Sequence, residues 1–73
     1  MYKNVEFGFF IRTKREKMDY SRELLAEKCL LSDKCIANIE QGKSDPKFST
    51  VLEICNACNV DIGELSVFFR KEI

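Results

Sequence analysis

The chain has 73 residues, enough for one small domain that buries only about 60% of the surface its unfolded form exposes. Hydrophobic residues make up 45% and charged residues 33%, and no apolar run approaches the roughly 18 residues of a membrane span, which excludes a membrane-spanning protein. Twelve basic residues balance twelve acidic ones, so the overall basic surplus of most nucleic-acid binders is missing and only the distribution of charge can argue for such a partner.

The N-terminus, Met1-Tyr2-Lys3-Asn4, has no signal-peptide core or cleavage site, and a cytoplasmic location is the expectation. A first helix is predicted from Asn4, as cap, to about Met18, with Phe7 and Ile11 one turn apart on the buried stripe. Two short capped helices follow. Ser21 can accept from the free N–H groups that open a helix near Arg22 to Cys29, and Ser32 can do the same for one from Asp33 to about Gln41, which Gly42 ends. Leu25, Ala26, Cys29, Leu31, Ile36 and Ile39 stand at spacings that bury facing stripes of these two helices. Ala26 is small where the backbones must approach. Burial of Ile36 and Ile39 leaves Asp33, Lys34, Ala37, Asn38 and Gln41 on the opposite face of the third helix.

After the loop Lys43 to Lys47, which holds Asp45-Pro46, a fourth helix is predicted from Phe48 or Ser49 to Cys58, with Val51, Leu52, Ile54, Cys55 and Cys58 apolar. Asp61 and Glu64 form a capping box for a fifth helix. Ile62, Leu65, Phe68 and Phe69 repeat there at helical spacing, with more aromatic surface than five short helices readily hide. Val67, Phe68 and Phe69 are therefore the candidate interface of a homodimer. Cys55-x-x-Cys58 looks like half a metal site, but it falls inside a helix, with no second close pair and no histidine anywhere; reduced thiols are expected and no metal. No Ser/His/Asp set and no phosphate-binding glycine loop is present, so no catalytic residue, cofactor or small-molecule substrate is expected.

The arrangement resembles the lambda-repressor-like (Cro and phage-repressor, XRE-type) helix-turn-helix regulators. Phe7-Gly8, Ile11-Arg12 and Arg15 match the first helix, and Ile39-Glu40-Gln41-Gly42-Lys43 matches the end of the recognition helix. Thr50, Leu52, Ile54, Ala57, Val60 and Asp61 to Leu65 match the rest, covering about residues 7 to 65 without a gap. The order and spacing of these pieces carry the likeness, since none is specific alone.

The resemblance implies an all-α, compact five-helix domain occupying residues 1–73, with the helix-turn-helix at helices 2 and 3. It implies a sequence-specific binder of double-stranded DNA, a small stand-alone repressor or autoregulator of the kind found in phages, mobile elements and restriction-modification operons. Helix 3 would enter the major groove of an inverted-repeat operator, with Asp33, Lys34 and Asn38 at base edges and Ala37 at a thymine methyl. Arg22, Gln41 and Lys43 would contact phosphates. Arg15 and Glu40 would pair to pin helix 1 to helix 3. Departures from the family pattern are Lys14 beside Phe10, whose ring the lysine stem could cover, and Leu30 where a left-handed residue is wanted. The alternative is a protein-interaction module on the same scaffold, an antitoxin-like partner acting through its aromatic C-terminal helix.

Overall fold

A computed structural model describes residues 4–65, so the interface expected at Val67, Phe68 and Phe69 lies outside the described residues. Among these residues five helices follow one another: α1 (Asn4–Lys17), α2 (Arg22–Cys29), α3 (Asp33–Glu40), α4 (Phe48–Ala57) and α5 (Ile62–Leu65). No strand occurs among the described residues. The fold is all-α, as the resemblance implies. None of the described helices is long and apolar enough to cross a membrane.

The starts of α2 and α3 follow from their caps: Ser21 Oγ accepts from the Leu24 N–H and Ser32 Oγ from the Cys35 N–H, each at 3.0 Å. The N–H of Asp61 donates to Glu64 Oε1 at 3.3 Å, which closes the capping box of α5. Asn4 is not a cap. It is the first residue of α1, and its buried Oδ1 accepts no hydrogen bond.

Helices α1 to α4 all end in the same way. One residue takes a left-handed backbone and the last carbonyls accept two crossing N–H bonds, as at α3, where Gly42 donates to Ile39 and Lys43 to Asn38. The left-handed residues are Asp19, Leu30, Gly42 and Asn59. Three suit that conformation. Leu30 does not, yet it adopts φ 58°, ψ 36° with its side chain 90% exposed, so the turn inside the helix-turn-helix carries unrelieved strain. Leu30→Gly is expected to raise stability by about 0.5 to 1 kcal/mol, the 1 to 2 kcal/mol of strain being partly offset by glycine's unfolded-state freedom. Thermal unfolding of the two proteins checks this as a rise of a few degrees.

The core draws on every helix: Phe7, Ile11, Leu25, Ala26, Cys29, Ile36, Ile39, Val51, Ile54, Cys55, Cys58 and Leu65 are buried. Leu31 packs against this cluster half-buried. Leu52, in the apolar set of α4, is exposed and stays outside the buried core. Helix α3 is held from two sides, by α1 and by α2. The contact with α1 is made at Gly8. A Cβ there would stand 2.6 Å from the Glu40 carbonyl oxygen and closer still to that of Ile39, so the two backbones touch. The Lys14 ammonium sits 5.5 Å from the centre of the Phe10 ring and donates to Glu64 Oε2 at 2.7 Å. Glu64 thus caps α5 with one oxygen and ties it to α1 with the other.

Candidate nucleic-acid interface

Helix α3 separates its two faces cleanly. Ile36 and Ile39 are sealed in the core, while Asp33, Lys34 and Gln41 are exposed and Ala37 and Asn38 half-exposed. Positions 33, 37 and 41, like 34 and 38, are one helical turn apart, so these side chains share one outward face. Its chemistry covers acceptor, cation, methyl and amide, the groups that distinguish base edges in a major groove. Lys43 follows on the turn, its backbone fixed by the bond from its N–H to the Asn38 carbonyl at 2.9 Å. Gly42, at φ 74°, packs against Val5, so the exit from α3 is pinned to the start of α1.

Beside that face, Arg15 ties α3 to α1. Its Nε donates to Glu40 Oε2 at 2.6 Å and its Nη2 to Glu40 Oε1 at 3.2 Å, a two-pronged contact between α1 and α3. Its Nη1 donates to the Tyr20 carbonyl at 2.7 Å, which adds the α1–α2 turn to the same knot. The side chains of Arg15 and Glu40 are 11% and 5% exposed. The hydrogen bond to Glu40 raises the Arg15 pKa above the usual guanidinium value despite the opposing effect of burial, so this charge is permanent.

Beside this knot lies a polar recess of about 210 Å³ lined by Arg12, Arg15, Arg22, Glu40 and Gln41. Arg22 opens α2 directly after its Ser21 cap, and Gln41 closes α3, so two of the expected phosphate contacts meet at one place. The first N–H groups of a helix lack intrahelical partners and favour an anion. Lys43 does not line this recess. Arg12 does, although the sequence reading, which matched it to the first helix of the family, gave it no contact to DNA. Gly8 was also undervalued, although a glycine inside a helix is itself a sign of a close backbone approach.

A larger recess, about 390 Å³, lies between α2 and α4, lined by Tyr20, Lys28, Glu53, Asn56 and Ala57. It lies apart from the outward face of α3 and shares no residue with the arginine recess. The four cysteines are free, with Cys29, Cys55 and Cys58 buried and Cys35 half-buried on α3. Burial pushes the Cys55 thiol up to about 12 and the Cys58 thiol up to about 11, and it raises Cys29 as well. These three thiols hold their protons at neutral pH and are poor nucleophiles. Among the described residues, no cluster of three or more histidine, cysteine or acidic side chains is placed to hold a metal ion.

Comparison with known proteins agrees with this geometry. The chain matches the helix-turn-helix family over residues 11–65. No curated protein sequence matches it. Among solved structures, it is similar to the restriction-modification controller protein C.AhdI from Aeromonas hydrophila, at 26% identity and a TM-score of 0.79, covering 84% of this chain and 88% of that one. It is also similar to the clp gene regulator ClgR from C. glutamicum, at 17% identity and a TM-score of 0.82, covering 88% of this chain and 82% of that one, a likeness of fold. The chain therefore belongs to the XRE-type, lambda-repressor-like helix-turn-helix family of DNA-binding regulators.

Proposed function

We propose that this protein is a sequence-specific transcriptional repressor or autoregulator that binds an inverted-repeat operator as a homodimer, with α3 in the major groove. The observation that carries this reading is the outward face of α3, whose polar side chains are free of the core while its last residue reaches the arginine-lined recess. Asp33, Lys34, Ala37 and Asn38 then meet base edges, and Arg22, Gln41 and Lys43 meet the flanking phosphates. Arg15 and Glu40 touch no DNA in this scheme and hold α3 at its angle. C.AhdI is described as a restriction-modification controller protein, which supports a regulatory role. Dimerisation through Val67, Phe68 and Phe69 would set two copies of α3 roughly 34 Å apart, one turn of the duplex.

Selection of bound molecules from random-sequence duplexes at low salt, beside an Asn38→Ala control, tests this. The expected result is an enriched inverted repeat with half-sites about one helical turn apart, altered at one base pair or lost in the control. A single enriched half-site would remove the dimer. No enrichment, with binding that only fades as salt rises, would remove sequence reading and favour a protein-interaction module built on the same scaffold.

A further inference from the structure

We propose that Arg12 is an additional contact to the DNA backbone and that Glu16 competes with the phosphate for it. The inference rests on the DNA-binding reading above and adds to it a residue and a built-in brake. Arg12 lines the same recess as Arg22 and Gln41. Gln41 continues the outward face of α3 one turn beyond Ala37, so a duplex that takes α3 into its groove brings a sugar-phosphate strand over this recess.

Three guanidiniums stand there, and they differ in what they can offer. Arg15 is consumed, with Nε and Nη2 on Glu40 and Nη1 on the Tyr20 carbonyl. Arg22 stands at the opening of α2. Arg12 engages Glu16 through Nε alone, at 3.1 Å, which leaves its two terminal nitrogens for a second anion. A guanidinium fork matches two phosphate oxygens.

Glu16 is placed to interfere. Its Oε2 lies 3.1 Å from Arg12 Nε and 3.9 Å from Arg15 Nη2, so one carboxylate oxygen sits between two of the arginines of the recess. The Arg12 and Glu16 side chains are 58% and 54% exposed, and a water-screened pair of this kind is weak enough to be exchanged for a phosphodiester. Glu16 does not line the recess, but its carboxylate holds Arg12 at Nε and offsets its charge beside the phosphate's path, which lowers affinity for any duplex, whatever its sequence.

The test is equilibrium binding to an operator and to a random duplex over a range of salt. Arg12→Gln is expected to weaken both by a similar factor, about five- to tenfold, and to reduce the slope of log K against log salt by about 0.9, the value for one lost phosphate contact. Glu16→Gln is expected to tighten both about two- to fivefold at low salt, and to bring no gain when Arg12→Gln is already present. Arg12→Lys should keep the slope while losing part of the affinity, since it keeps the charge but not the fork. An unchanged slope in Arg12→Gln overturns the contact. An equal gain from Glu16→Gln with or without Arg12 overturns the competition and leaves a general charge effect. Inorganic phosphate at matched ionic strength should displace neither duplex; displacement from wild type but not from Arg12→Gln would make the recess a free-phosphate site and overturn the proposal. Wild type that binds no duplex at low salt would instead defeat the DNA-binding reading itself.

Discussion

Gly8→Ala is expected to destabilise the protein by about 3 kcal/mol, the upper part of the range for overpacking, and to do so at the recognition helix. The added methyl would stand 2.6 Å from the Glu40 carbonyl oxygen, 2.8 Å from the Glu40 carbonyl carbon, and nearer still to the Ile39 carbonyl. None of these is the loose end of a side chain. The carbonyls belong to the last turn of α3, which is closed by the bonds from Gly42 and Lys43 and clamped by Arg15, so the helix can yield only by moving as a body. Alanine's better helix propensity would return at most about 1 kcal/mol. A chain of this size has a total stability of roughly 4 to 11 kcal/mol, so the variant retains little reserve. Urea unfolding should show a lower midpoint. Whatever folds should hold α3 away from α1, with operator affinity falling further than affinity for random duplex.

That contact shows where the sequence was legible and where it was not. Helix starts were readable because Ser21 and Ser32 cap through bonds spanning three residues, and the core stripe was readable because burial follows a period of 3.6. Leu30 was readable as a misfit in its turn, but whether the turn is rebuilt or bears the strain depends on the packing of both helices, and the chain bears it. What stayed hidden depends on elements far apart in the chain. Lys14 meets Glu64 fifty positions away, and nothing local announces it. Gly8 signals that something approaches α1, without saying that it is the carbonyl end of α3. Arg12 and Gln41 share a recess only because α1 and α3 are pinned at one angle, which no periodicity encodes. Leu52 failed as a core residue because an amphipathic pattern shows that a stripe exists but not how wide the neighbour covering it is.

Arg15→Met is expected to cost about 3 to 5 kcal/mol, since it strands the Glu40 carboxylate at 5% exposure and removes the donor to the Tyr20 carbonyl. Arg15→Lys should fall between this variant and wild type, because a point charge replaces a fork that makes three bonds of 2.6 to 3.2 Å. The decisive variant is the double one, Arg15→Met with Glu40→Met. It removes both charges at similar volume, and a buried pair replaced by packed apolar groups is often neutral or better, so stability should return to within about 1 kcal/mol of wild type. Recovery of stability is not recovery of geometry. Two flexible thioethers can fill the space between α1 and α3 at several rotations of α3, whereas the two-pronged contact allows only one. The double variant should therefore unfold like wild type in urea yet bind operator and random duplex with affinities closer together. If it kept full discrimination, packing around Gly8 and Ile39 alone would set the angle of α3; if it stayed several kcal/mol short of wild type, the pair would be a source of stability and not a device of register.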